Sequence, residues 1–299
     1  MGIGFAISSL TQGIAYALMA LGVYITFRVL DFADLSVDGS LPLGAAVSAR
    51  LISAGFNPFL SIVPAVLAGG LAGAFTGFLN TRLKIAPLLS GILTMTMLYS
   101  LNLRIMASPN IPLIGESTIF TAVENFGITS PWNELLILSL LVLGAKLILD
   151  LFLMTQLGFA LRAAGDNPQM IRSMGVSTKT MKMLGLTVAN ALVAFSGALV
   201  GQYQGFADVG MGIGMIIAGL ASVIIGEVLV GKMNIFFTTL AVIVGSIVYR
   251  FSISFALTLG FAASDMQLLT GILVIIFLST PRLKRLIRGE INAAVKGNE

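Results

Sequence analysis

Long apolar runs, repeated along the whole chain and separated by short polar joints, leave few folds open to this sequence. Nine such runs stand at roughly 4–29, 41–55, 60–80, 87–105, 134–154, 183–203, 211–230, 235–253 and 266–280. A straight helix needs about 20 residues to cross a bilayer core, so most of the runs are span-sized and several are short. Only 10% of the residues are charged and 57% are hydrophobic, with a mean hydropathy of +1.00. A soluble domain would carry about 25% charged residues and could not bury this much apolar surface. The runs are continuous rather than alternating, which argues against a β-barrel. The expectation is one all-α unit over 1–299, a polytopic transmembrane helical bundle of about nine spans, eight to ten if 30–55 is re-entrant. Short runs imply broken helices, which membranes tolerate where irregular backbone is buried in protein or lines a cavity.

Lysine and arginine set the expected orientation. Arg82 and Lys84 stand in one joint. Arg162, Arg172, Lys179 and Lys182 stand in another, followed by Lys232 and the tail residues Arg282, Lys284, Arg285 and Arg288. The joint 106–133 has no basic residue and holds Glu116 and Glu124. Basic joints alternate with the others, so they read as cytoplasmic, with the N-terminus outside and a basic cytoplasmic tail at 281–299. No basic residue precedes Arg28, so the start lacks the positive region of a cleaved signal peptide and reads as the first span.

The absence of Cys and His removes thiolate nucleophiles, disulfides, imidazole bases and the usual zinc ligands. The pI near 9.5 comes from joints spread along the chain, not from one basic face that would suit nucleic acid. Gly226 to Met233 matches seven places of a nucleotide-binding P-loop, but Met233 stands where a magnesium-binding hydroxyl belongs and no strand precedes it. No catalytic residue, metal site or cofactor is expected in this chain.

Three acids, Asp31, Asp34 and Asp38, follow the first run, with Ser36 and Ser40 among them. Acids beside apolar sequence are costly unless solvated or paired. They suit a broken helix near a polar path or a hydrated interfacial joint with Arg28 as partner. Asp38-Gly39 reads as a turn, with Ser40 as cap of the next short helix. Other polar residues inside runs are Thr94, Thr96, Tyr99, Asn102, Asn190, Gln202, Tyr203 and Gln204. Asp34, Ser36, Asp38, Ser40, Gln202 and Tyr203 are the candidates for lining a translocation path. Gly69, Gly73 and Gly77, and again Gly197, Gly201 and Gly205, recur every four residues. Each trio makes a flat stripe on a helix that lets another backbone approach, within the chain or across a subunit interface.

The joint 155–182 differs from its surroundings. Asn167 is a good N-cap, Pro168 suits the first helical position, and Gly175 is a natural stop. Met170, Ile171 and Met174 fall on one apolar stripe, with Arg172 and Ser173 pointing elsewhere. A helix over 168–174 is too short to be stable unless it packs on something, and methionine faces suit adaptable docking.

The stretch Gly158-FALRAAGDNPQMIRSMGV resembles the coupling-loop signature of ABC importer permeases in the branched-chain amino acid/ribose permease superfamily. Gly158, Arg162, Ala163, Asn167, Pro168, Gly175 and Val176 occupy the signature places. DLSVDGSLPLGA is similar to that family's early Gly/Ser-rich element. SGILTMTMLYSLNLRIMASPNIPL is similar to a subgroup paired with predicted tryptophan- or tyrosine-binding proteins. The resemblance implies a permease in a bacterial cytoplasmic (inner) membrane, paired with a second copy or a similar permease. Two ATPase subunits, which hold ATP and magnesium, would bind inside, and a solute-binding protein outside. It also implies a coupling-helix role for Asn167 through Gly175, with Arg162 and Arg172 as charged contacts, and an amino acid, on the subgroup's pattern an aromatic one, as solute. An ion-coupled secondary transporter using Asp31, Asp34 and Asp38 is the alternative. It would show intramembrane charge pairs or broken helices in corresponding halves, and no such paired pattern is visible. A channel is a third option, weakened by the lack of a repeated filter-like segment.

Overall fold

The structure is a computed structural model, and it describes residues 3–124, 132–231, 234–261, 265, 268–272 and 274–276. The first run is not one continuous α-helix. It comprises α1 (Ile3–Ala15), α2 (Ala17–Tyr24) and a π-helical turn over Ile25–Val29, with a break at Tyr16. Next come α3 (Val37–Ser53), α4 (Pro58–Thr81) and α5 (Pro87–Met106). Asn57 starts α4 by accepting the Phe59 N–H at 2.9 Å, with Pro58 in the first turn where no N–H is needed.

A three-residue strand β1 (Asn110–Pro112) leads to α6 (Ile119–Glu124) and α7 (Trp132–Met154). Then follow α8 (Gln156–Asp166), α9 (Pro168–Ser173), α10 (Thr178–Gln204), β2 (Phe206–Asp208), α11 (Met215–Val230) and α12 (Ile235–Thr258). The all-α expectation missed the antiparallel β1–β2 ribbon, paired Asn110 to Asp208 and Pro112 to Phe206. The ribbon exists because Gly205, at φ 76°, ends α10 and turns the chain back.

Among the described residues, six helical segments are long and apolar enough to cross a membrane: Gly4–Val29, α4, α5, α7, α10 and α12. Two of the expected runs, 41–55 and 211–230, are the shorter α3 and α11. Both are buried over much of their length, so other helices rather than lipid surround much of each. Part of the run 266–280, the tail 281–299 and Lys232 lie outside the described residues.

α10 sits at the centre, against α2, α3 and α4. Glycine makes that approach close. A β-carbon on Gly69 or Gly73 would overlap the α10 backbone or side chains at Asn190, Ala194 or Leu186, and one on Gly197 would overlap the Leu41 carbonyl of α3. Gly77 meets Met183 and Gly201 meets Ala45. Gly205 differs: it has open space around it and serves as the C-cap of α10.

Candidate functional site

Thr155 opens α8 by accepting the Gly158 N–H at 3.2 Å. Gly158, Leu161 and Ala164 form its buried face, while Leu157 and Phe159 are exposed. The buried face is clamped to the membrane helices. Gly165 lies against the Val29 carbonyl of the π-turn, and Gly185 of α10 lies against Leu30 and Leu161. α8 therefore touches the irregular end of the first span and the start of α10 at once.

α9 follows after a single residue. Asn167 leaves the helical region at φ −141°, and its Oδ1 accepts the Met170 N–H at 3.0 Å. At the other end Gly175, at φ 81°, donates to the Arg172 carbonyl at 3.0 Å, and Val176 donates to Ile171 at 3.2 Å. The expected apolar stripe divides in two. Ile171 turns into the chain and is buried, whereas Met170 and Met174 are 50% and 68% exposed. Arg172 reaches Thr178 through Nε at 3.0 Å. Arg162 lies 5.5 Å from the Phe159 ring and lines a cavity of ≈ 620 Å³ with Arg28, Asp31 and Asp166.

The three acids have three environments. Asp31 is exposed and holds a left-handed φ of 50°. Asp34 is buried. Its Oδ1 accepts Ser36 N–H at 2.9 Å and Ser36 Oγ at 2.5 Å, and its Oδ2 accepts Asn190 Nδ2 at 2.8 Å. Asp38 accepts the N–H groups of Gly214 at 3.0 Å and Ile216 at 2.7 Å, so an acid of α3 caps α11 from across the fold. Ser40 is not a cap: it stands inside the first turns of α3, buried, with Oγ unpartnered. Asp38-Gly39 is helical rather than a turn. Arg28 pairs with Glu227 of α11 and not with these acids.

Gln202 is saturated with protein partners. Its Nε2 donates to Ser48 Oγ at 3.0 Å and to the Pro58 carbonyl at 3.3 Å, and its Oε1 accepts Ile119 N–H at 3.0 Å. It ties α3, α4, α6 and α10 together. Tyr203 is half-buried and packs edge-on against Phe120. The six path candidates thus form no single cluster.

Sequence reading missed three features. Lys146 and Asp150 form a buried ion pair at 2.5 Å within α7, with Thr239 donating to Asp150 at 2.7 Å and the Phe236 ring 3.4 Å from the ammonium. Two opposite charges four residues apart inside an apolar run were the available signal. Arg250, 8% exposed in α12, lies 3.7 Å over the Tyr16 ring at the break between α1 and α2, and its Nε has no hydrogen-bond partner. The third is a polar stripe on α5, in which Thr96 and Tyr99, singled out in sequence as polar residues inside a run, join Ser100 and Arg104. Thr96, Tyr99, Ser100 and Arg104 are all exposed on the least buried of the six long helices.

Residues 5–278 match the family described as branched-chain amino acid transport system / permease component. The chain is similar to the tyrosine transport system permease protein of Clostridioides difficile (strain R20291), with 46% identity covering 93% of this chain and 91% of that one. It is also 25% identical to the galactofuranose transporter permease protein YtfT of Escherichia coli (strain K12), over 96% of this chain and 82% of the relative. Among solved structures, an ABC transporter assigned to the metal-chelate type, in an inward-facing conformation, has the same fold. The TM-score is 0.51 at 18% identity, over 94% of this chain and 85% of that one.

Proposed function

The chain belongs to the ABC permease family described as branched-chain amino acid transport system / permease component, and from that premise we propose that it is the membrane subunit of an amino acid importer. The proposed solute is tyrosine or a similar aromatic amino acid, supported by the relative that shares 46% of its residues. Two copies form the pathway in a bacterial cytoplasmic membrane. ATPase subunits holding ATP and magnesium act from inside, and a solute-binding protein delivers from outside. Adding the shorter α3 and α11 and the run 266–280 to the six span-sized segments gives the proposed nine spans, and the Lys/Arg pattern supports an N-terminus outside and a C-terminus inside.

One observation carries the coupling assignment. α9 presents Met170 and Met174 outward from a loop whose other face is locked, through Gly165 and Leu161, to the π-turn and to α10. ATP-driven closure of the partners pushes on the methionine face. α8 transmits the push to the π-turn, to loop 30–36, and through Asp34–Asn190 to the central helix. π-turns inside helices recur at functional sites, and we take the first span, which carries one, as the yielding element. The polar stripe of α5 lines the pathway, because an exposed polar face is stable in a bilayer only against water or protein. Asp34 and Asp38 act as structural fasteners.

Changing Met170→Asp together with Arg172→Glu tests the docking face. The expected result is loss of ATPase co-purification and of ATP-driven tyrosine uptake, with the membrane part still folded. Unchanged stoichiometry and uptake would remove α9 from the interface.

A further inference from the structure

A second cavity, ≈ 310 Å³, opens between α9, the α4–α5 joint and the first turns of α10, and its charge is all of one sign. Lys84, Arg172, Lys179 and Lys182 line it, and no carboxylate does among the described residues. The larger cavity beside the π-turn differs in kind, because there Arg28 and Arg162 are balanced by Asp31 and Asp166. Four cations around one small space repel one another unless an anion joins them. Local geometry holds them there all the same. Lys84 keeps a left-handed φ of 58°, unusual for a residue with a β-carbon. Asn80 Nδ2 donates to the Ile85 carbonyl at 2.8 Å and fixes the joint. Arg172 spends one of its five N–H donors on Thr178 Oγ1, which leaves a fork free for an oxyanion.

We propose that this cavity is a phosphate-binding site, formed by Lys84, Arg172, Lys179 and Lys182 at the membrane edge. Three ammonium groups and a guanidinium suit the tetrahedral oxygens of a phosphate, free or esterified. The ends of three membrane helices, α4, α5 and α10, meet at this level, where the phosphates of an anionic lipid also lie. The source is either such a headgroup or free inorganic phosphate. In both cases the bound anion bridges α9 to the α4–α5 joint through Arg172, and makes the response of the coupling helix depend on its occupancy.

The test uses the full chain in phosphatidylcholine nanodiscs, titrated with phosphatidylglycerol or with inorganic phosphate, with retention read by native mass spectrometry and phosphorus NMR. One of the two probes binds, and the variant Lys84→Gln, Lys179→Gln, Lys182→Gln loses about 100-fold in affinity. The lysine-to-arginine version of the same triple change restores it, and Arg82→Gln, on the same joint but outside the cavity, leaves it unchanged. Preference for phosphatidylglycerol identifies the headgroup; saturation by inorganic phosphate alone identifies the free anion. Binding of neither probe, or an equal loss in Arg82→Gln, overturns the proposal. So does a glutamine variant that binds both probes normally yet no longer holds its ATPase, since the cations would then face acidic protein side chains.

Discussion

Asp38, Lys146 and Asp150 are charged side chains inside apolar surroundings, and each is satisfied by groups far away in sequence or across a helix turn. Asp38 supplies the side-chain cap that Gly214 cannot provide for α11. Removing such a cap costs about 1–2 kcal/mol, so Asp38→Ala lowers the thermal stability of the purified chain by that much. Asp38→Asn keeps an acceptor and leaves uptake intact at every pH. A pH profile that shifts in the asparagine variant would return Asp38 to the role of a proton carrier. Lys146 and Asp150 obey a different logic. Removing one partner strands a buried charge and costs about 3–5 kcal/mol, whereas replacing both with apolar residues of similar volume is near neutral. Lys146→Met should therefore unfold far more readily than Lys146→Met with Asp150→Leu. Equal destabilisation in the two would mean that the ion pair contributes little.

At the scale of elements, what the sequence revealed depended on how local the cause was. Hydropathy located the long helices because each run carries its own reason to be in lipid. α9 was legible from Asn167, Pro168 and Gly175, since a cap and a stop act within a few residues. The direction of Ile171 was not legible, because it is decided by what α9 rests on. The same holds for Ser40: α3 begins four residues earlier, after Ser36, where Asp34 holds the Ser36 N–H. The Lys146–Asp150 pair depends on Thr239, 89 positions from Asp150. Glycine spacing indicated close packing, and the α10 contacts name the partners. Gly197→Leu forces a side chain into the Leu41 backbone and costs at least ~3 kcal/mol, read as loss of folded protein in detergent. Gly144→Leu, on α7 with nothing within 4 Å of its β-carbon position, is the matched control and should be tolerated.

For the whole molecule, the central proposal is that the chain supplies a pathway and a lever, and that energy arrives from ATP through α9. The contacts of Gly165 with Val29 and of Leu161 with Gly185 join that proposed lever to the bundle, and membership of an ABC permease family implies an ATPase for it to meet. The most direct measurement is tyrosine uptake into proteoliposomes that hold the permease, its ATPase and the binding protein, with ATP and ion gradients imposed separately. Uptake should require ATP on the α9 side, persist when proton and sodium gradients are collapsed, and vanish in the Met170→Asp, Arg172→Glu variant. Uptake driven by an ion gradient without ATP, and undiminished in that variant, would contradict the account.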